Sequence, residues 1–535
     1  MVNVLLLLPT QGLYEVYDEQ GIALIASYLR ENGYCVFMNT VRELSDLENM
    51  NIANMDIIGV TSYHENLPFV FEICKKVKEI NRKVLTCLGG YSATYYAYEI
   101  MDSCAFVDVI IEREGEITFL EICKKIERKE KLNKQKGIYY RNENGKIIYG
   151  GINQIIGDLS DMPFSAKDIF EKNKMSLVEL STSRGCFNNC SFCYSHSYFD
   201  PEGKIRWRGR SAQNVFDEIC SIVQKYKINK FYFNNASFED SLPYKMFMLE
   251  LCDKLIEGNI NISFCANFRA GFYKHCSEKE IEKLINAGLT GVFLGIESFS
   301  EKDLLLYNKH ASVRDNLNAI DFFRKYQIGL DIGFINFNPY STYASLYENM
   351  VGLYKSKYLS SLVFMNRLRG YKGTPLYQKI ENDGLLIKEN YLNYYCYKYE
   401  DQNVEKFVDF IVNLFVNEPG DISGDSYYFS MYQDQLISHL KRVFRNNEML
   451  LKLVSIYDEE RRKILNEANE FCFVWYGELL NLLKEGWDLE KAKDIVKSIE
   501  IGMRMGKYVM KLKKNFSKFT KEVLAIDRTA IFYIK

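Results

Sequence analysis

Three cysteines stand in one short stretch, STSRGCFNNCSFCYSHSY, residues 181–198. Cys186, Cys190 and Cys193 follow the spacing C-x3-C-x2-C. Thiolates at these steps in one loop reach a single inorganic object, and thiolate is a ligand that zinc and iron–sulfur clusters both take. A tetrahedral zinc takes four ligands, and the one neighbour able to complete the set is His196. A four-iron cluster held by three thiolates keeps one iron open to a further ligand. The remaining cysteines among the fourteen, such as Cys74, Cys87 and Cys252, are scattered singly, several of them in apolar patterns. There a free cysteine behaves as a small hydrophobe. No second set has ligand spacing.

The elements that must position this loop are written in the hydrophobic pattern. VNVLLLLP (2–9), YCVFMN (34–39), DIIGVTS (56–62), KVLTCLGG (83–90) and FVDVIIE (106–112) read as buried strands. Helical spacing appears between them from Gly21 to Asn32 and over 66–80, 92–103 and 116–127. This alternation predicts a parallel sheet covered on both faces. A hairpin is expected over 137–151, where Asn144-Gly145 suits a two-residue turn. A second alternation follows, with strands expected at 177–182, 229–235, 261–266, 291–298, 329–336 and 360–368. Six βα repeats predict a partial barrel, and the cysteine loop follows its first strand, at the end where such folds gather functional residues. Beyond about 385 helical patterns dominate, including 456–485 and 488–518.

Composition narrows the classes. A chain of 535 residues with 47% hydrophobic and 26% charged residues is globular and predicts two to four domains. A net charge of -2 argues against a general nucleic-acid binder. No apolar run approaches the ~20 residues of a membrane helix. MVNVLLLLP lacks the parts of a secretion signal, so the expectation is a cytoplasmic protein with no membrane partner and no disulfide framework.

With C-x3-C-x2-C in the loop after the first barrel strand, the chain resembles the radical S-adenosylmethionine (SAM) superfamily. The resemblance implies a [4Fe–4S] cluster on Cys186, Cys190 and Cys193, with SAM chelating the open iron and cleaved to a 5'-deoxyadenosyl radical. Phe192 matches the aromatic that packs near adenine. KFYFNNASFED (230–240) resembles the second-strand segment that meets the SAM amino group, with Asn234 and Asn235 where an Asp pair is expected; Asn235 is the implied contact. ANFRAG (266–271) implies that Arg269 meets the SAM carboxylate, and GVFLGIES (291–298) implies a contact from Glu297. RLRGYKGTPLY (367–377) is similar to the segment that closes the barrel.

The first alternation resembles the cobalamin-binding domain that precedes many such barrels, through GVTSYHEN (59–66), CLGGYSAT (87–94) and IIEREGEITF (110–119). Thr61, Ser62, Gly89, Gly90 and Tyr91 are the implied cobalamin-binding residues. Gly89 and Gly90 end a strand without Cβ atoms, which lets a nucleotide approach the backbone. The D-x-H-x-x-G motif that supplies histidine to cobalt is absent, and a lone His64 is expected to pack. PTQG (9–12) replaces the dinucleotide fingerprint after the first strand, which disfavours NAD.

The expected architecture is α/β: a Rossmann-like cobalamin-binding domain over 1–155, a partial (β/α)6 radical SAM barrel over 156–385, and a mainly helical domain over 386–535. The resemblance implies a cobalamin-dependent C-methyltransferase acting on a natural-product or ribosomal-peptide substrate, with an electron donor such as flavodoxin or ferredoxin. One SAM would supply a methyl group and another the radical. The alternative is a radical SAM enzyme of cyclisation or rearrangement with an accessory first domain. Trp475 and Trp487 are expected in the core of the helical region. Lys507, Lys511, Lys514, Lys518 and Lys521 are expected on a solvated helix face.

Overall fold

The computed structural model describes residues 2–10, 20–173, 175–199, 202–203, 207–239, 246–359, 361–387, 392–417 and 424–530. Gln11 and Gly12 of PTQG, Asp240 and residue 360 lie outside them.

The first sheet contains β1 (Asn3–Pro9), β2 (Cys35–Val41), β3 (Ile57–Thr61), β4 (Leu85–Gly89), β5 (Val109–Ile111), β6 (Ile138–Arg141) and β7 (Ile147–Tyr149), in the order β2-β1-β3-β4-β5-β6-β7. β1 to β5 are parallel, and the β6–β7 hairpin adds antiparallel at one edge. Period-two alternation explains the two buried faces. Leu5 and Leu7 face the helices Leu67–Ile80 and Ala97–Ser103, while Val4, Leu6 and Leu8 face Gln20–Glu31 and Glu116–Glu127. Strand order reverses between β1 and β3, and a crevice opens outside the strand ends at such a switch point.

The second sheet is wholly parallel and contains β8 (Val178–Leu180), β11 (Lys230–Phe233), β12 (Ser263–Arg269), β13 (Leu289–Glu297) and β14 (Gly329–Phe334), in that spatial order. A short antiparallel pair, β9 (Ser183–Gly185) and β10 (Trp207–Gly209), carries the start of the cysteine loop. Several covering helices are capped by the residue types that satisfy free N–H groups. Ser277 with Glu280 and Ser312 with Asp315 form reciprocal capping boxes. The expected sixth strand differs. Residues Ser361–Met365 form a short helix, and the closing position is held by an isolated parallel bridge between Phe337 and Arg367.

Helices Gln402–Asn417, Gly424–Val443, Glu448–Glu485, Leu489–Ile499 and Ile501–Ile526 follow. The pattern expected over 488–518 is two helices, because Glu500 turns left-handed at φ 52° between them. Trp475 is fully buried against Phe364, and Trp487 packs on Phe407 and Phe410. Lys507, Lys511, Lys514, Lys518 and Lys521 lie on the exposed face of the last long helix. Among the described residues no helix is long and apolar enough to cross a membrane.

Helix Gly424–Val443 lies across the N-terminal end of the barrel strands. A Cβ on Gly329 would stand 2.7 Å from the Gln435 backbone, so only glycine admits the helix so closely. Nearby, burial pushes the Asp331 carboxyl up to about 7, against the Ile332 N–H that it accepts. The folded state therefore favours the protonated acid. That contribution is full below the ordinary value of 3.8 and is lost as pH rises through about 7. Asp331→Asn removes the titration, so wild type loses stability relative to this variant between about pH 4 and about pH 7. Parallel melting curves of the two proteins across that range check the sign.

Candidate active site between the two sheets

A cavity of about 440 Å³ lies between the C-terminal ends of the first sheet and the start of the barrel. On one side stand Thr61, Gly89, Gly90 and Tyr91; on the other stand Gly185, Tyr194, Asn234 and Asn235. The two glycines have different tasks. Gly90 has φ +102°, and a Cβ there would meet the Ser62 carbonyl oxygen at 2.6 Å. Gly89 is in a conformation open to any residue, and a Cβ there would meet nothing within 4 Å. Gly90 is thus required by the turn, whereas the bare Gly89 keeps space free. Gly90→Ala is expected to cost roughly 1–3 kcal/mol of stability. Gly89→Ala should leave the melting curve in place and weaken retention of a corrinoid, read by its visible spectrum after gel filtration.

Ser62 is fully buried, and its N–H and hydroxyl both donate to the Gly89 carbonyl, at 2.8 and 2.9 Å. It shapes the glycine turn from behind. Tyr91 joins three segments: its hydroxyl donates to the Lys372 carbonyl at 2.8 Å, and its ring packs on Tyr194 at 4.6 Å and Tyr371 at 4.9 Å. His64 is buried, stacked on Tyr394 at 4.1 Å and hydrogen bonded to Ser92 at 2.8 Å. Burial, helped by the Arg369 charge, lowers its pKa to about 4 and keeps the ring neutral.

The cysteine loop is held from several directions. Ser191 donates through its N–H to the Tyr307 carbonyl at 2.9 Å and through its hydroxyl to the Leu306 carbonyl at 2.6 Å. The Ser191 carbonyl accepts the Leu376 N–H of the GTPL segment at 2.8 Å. Phe192 meets Tyr307 edge to face at 5.4 Å, which seats the loop on the barrel. Cys186, Cys190 and Cys193 are all partly accessible. Burial raises the Cys186 thiol against the pull of the Asn188 N–H, and it pushes Cys190 up to about 12 against the Lys309 ammonium. Among the described residues no three His, Cys, Asp or Glu side chains converge as around a single ion. The thiolates of a four-iron cluster bind separate irons and need no such common point.

The other predicted contacts surround this loop. The Arg269 guanidinium pairs with fully buried Glu239 at 2.9 Å and donates to Asn188 of the loop at 3.3 Å. Asn235 is buried; its amide donates to the hydroxyls of Thr182 and Ser183, at 2.8 Å to the latter, and its oxygen accepts the Thr182 N–H at 3.3 Å. That side chain braces the strand entering the loop. Glu297 sits at φ 67°, a costly conformation for a residue with a Cβ. The surrounding network fixes it there. Ser298 donates to Asn349 at 2.8 Å and to Asp303 at 3.1 Å, and Asn316 donates to the carbonyls of Ile296 and Ser298 at 3.0 and 2.9 Å. Ser62, Cys186, Cys190, Phe192, Cys193, Arg269 and Glu297 are not among the residues that wall the cavity; the cysteine loop meets it through Gly185 and Tyr194 at its two ends.

Two features escape the motif reading. Buried Lys309 donates to the Gly295 carbonyl at 3.1 Å and to Glu297 at 3.4 Å, placing an ammonium beside the cysteines. Its twelve-residue spacing from Glu297 gives no helical or strand signal. The second is a buried ionic bridge between the sheets. Arg184 of β9 reaches Glu114, at 3.1 Å, and Glu116; Arg208 of β10 also binds Glu114, at 3.2 Å to one oxygen. Burial alone would raise the Glu114 carboxyl, but Arg184 and Arg208 outweigh it and hold it below the usual range.

Two family models match this arrangement: the B12 binding domain over residues 13–123 and the Radical SAM superfamily over residues 180–338. The chain joins a B12-binding domain to a radical SAM domain, the pairing found in cobalamin-dependent radical SAM enzymes, whose cofactors are a [4Fe–4S] cluster, SAM and cobalamin. An uncharacterized methyltransferase of Pyrococcus horikoshii is 27% identical over 57% of this chain and 66% of its own. An anaerobic magnesium-protoporphyrin IX monomethyl ester cyclase of Rubrivivax gelatinosus is 26% identical over 59% of this chain and 58% of its own. The matches thus leave a third or more of each relative uncovered. The cobalamin-dependent S-adenosylmethionine radical enzyme OxsB, solved with aqua-cobalamin and SAM, shares the fold with a TM-score of 0.70 at 19% identity. That superposition covers 99% of this radical SAM chain and 81% of OxsB.

Proposed function

We propose that the chain is a cobalamin-dependent radical SAM methyltransferase acting on an unactivated carbon of a natural-product or ribosomal-peptide substrate, with flavodoxin or ferredoxin as electron donor. The observation that carries this reading is the shared cavity: the glycine turn after β4 and the residues on either side of the three cysteines, Gly185 and Tyr194, line one space. Thr61, Gly89, Gly90 and Tyr91 would hold cobalamin, which would supply methyl-transfer chemistry, and Cys186, Cys190 and Cys193 would hold the cluster, which would supply the electron for SAM cleavage. The chain's own residues orient and shield. Lys309 places positive charge beside the cysteines, which favours the thiolate forms. Tyr91 and Tyr194, backed by Tyr371, form an aromatic wall of the cavity that keeps water from a radical. Phe192, Asn235, Arg269 and Glu297 are assigned to the SAM region, Arg269 by contact with the loop and Asn235 through the strand that leads into it.

The proposal is tested without the substrate. Anaerobic protein loaded with hydroxocobalamin, a strong reductant and methyl-deuterated SAM should return deuterium in the corrinoid fraction. The relationship to a monomethyl ester cyclase favours a second reading, ring formation without methyl transfer. In the same experiment that reading predicts no label in the corrinoid, and once substrate is supplied it predicts 5'-deoxyadenosine with a product lighter by hydrogen atoms instead of heavier by a methyl group.

A further inference from the structure

At the opposite end of the barrel from the cysteine loop lies a second chamber of about 340 Å³. It is enclosed by the first residues of β14, by Tyr358 and Leu359, and by helices Gly424–Val443, Glu448–Glu485 and Ile501–Ile526. Its volume is in the range of small-molecule sites. One wall is apolar, built from Ala468, Cys472, Met505 and Leu512. The other is charged: Arg324, Lys357, Lys441, Arg461 and Arg462 stand against Asp331, Asp434 and Asp458, so cations are in excess.

The charges are not fully matched by their neighbours. Arg461 is 1% exposed; its Nη2 binds Asp434 and, at 3.0 Å, Asp458, while Nε and Nη1 have no hydrogen-bond partner. A buried guanidinium with two empty donors carries a desolvation cost that an incoming anion would offset. Arg324 lies 5.0 Å above the Tyr358 ring, with one Nη2 bond to the Ser356 carbonyl, which leaves other donors of its planar fork available. Asp331, the acid nearest the barrel strands, is disposed to be neutral by burial and so subtracts little from the positive excess.

We infer that this chamber binds a small organic anion with an apolar chain. Its head group, a carboxylate or a phosphate monoester, sits against Arg461 and Arg324. Its chain lies along Ala468, Cys472, Met505 and Leu512. Nothing in the proposed reaction uses this chamber, which faces the N-terminal ends of the strands while the chemistry belongs to their C-terminal ends.

Titration calorimetry of the full chain with decanoate, decyl phosphate, decanol and inorganic phosphate, all below micelle formation, tests the assignment. At least one of the two amphiphilic anions should bind with one site per chain, and comparison of the two identifies the head group. Decanol and inorganic phosphate should each bind roughly tenfold more weakly or worse, since one lacks the charge and the other the chain. Ala468→Phe fills the apolar wall and should abolish the heat. Arg324→Gln, at a partly exposed position, should weaken the anion roughly tenfold without affecting decanol, and it keeps the test open if Ala468→Phe does not fold. The inference is overturned by equal affinity for decanoate and decanol, by phosphate binding as tightly as the amphiphiles, by no heat from either anion, or by unchanged binding in the folded variants.

Discussion

Replacing Cys186, Cys190 and Cys193 together by alanine removes the iron and sulfide from the protein and with them all reductive cleavage of SAM. Activity falls to background, because no other residue in the loop can bind the open-iron cluster that SAM requires. The fold survives. The three side chains are partly exposed, and the loop is fastened by Ser191 to the carbonyls of Leu306 and Tyr307 and by Phe192 to Tyr307, none of which the substitution touches. The change in unfolding free energy should stay within about 1 kcal/mol. A structural zinc on the same residues predicts the reverse, since metal binding is then part of the folding free energy. The cobalamin side should be indifferent: Gly89 and Gly90 lie on another sheet, so corrinoid retention by the triple variant should match wild type.

Arg184→Met produces the largest expected loss of stability. The guanidinium is the shared partner of Glu114 and Glu116, both buried, and its removal leaves two carboxylates with Arg208 as the remaining cation of the bridge. Breaking one side of a buried ionic network typically costs about 3–5 kcal/mol, more than a surface pair by several-fold. Because the bridge joins the β9–β10 pair to the first sheet, corrinoid retention should fall as well. Glu114→Gln with Arg184→Met restores neutrality at one position, so the double variant should be more stable than the sum of the singles predicts. A double-mutant cycle by denaturant unfolding measures this coupling; strict additivity would show that the pair does not act as a unit.

The strands of the first sheet were legible because both of its faces are covered. Runs such as VNVLLLLP and DIIGVTS have no polar face to disguise them, and their expected limits fall within a few residues of β1 and β3. The hairpin was marked by Asn144-Gly145, but its turn is not the expected two-residue one: the Asn142 N–H donates to the Lys146 carbonyl, the Gly145 N–H donates to the Asn142 carbonyl, and of the pair Gly145 alone is left-handed, at φ 74°. The stretch at 360–368 misled for a stated physical reason: a short apolar run fits a buried helix as well as a strand. Ser361–Met365 is helical, and only Arg367 retains a bridge.

The site shows the same division. The cysteine spacing is local and therefore readable, and so is the paired glycine after β4. Asn235 and Ser62 were recognisable by position, but their hydrogen bonds to Ser183 and to the Gly89 carbonyl are tertiary facts. Arg184 and Glu116 are separated by 68 residues, and Arg208 and Glu114 by 94, so no periodicity could connect them. Lys309 was hidden for the same reason. The helix across the barrel base was unreadable too, since its partner is the bare backbone of Gly329, which no side-chain pattern records.

The central claim is that one cavity brings a corrinoid and an open-iron cluster together. The most direct measurement is the cofactor content of wild-type protein reconstituted anaerobically with iron, sulfide and hydroxocobalamin, then desalted. The account predicts one [4Fe–4S] cluster and one corrinoid per chain, with the corrinoid reduced in Gly89→Ala and the cluster abolished in the cysteine variant. Stoichiometric zinc without sulfide, or a cluster-bearing protein that retains no corrinoid, would contradict it.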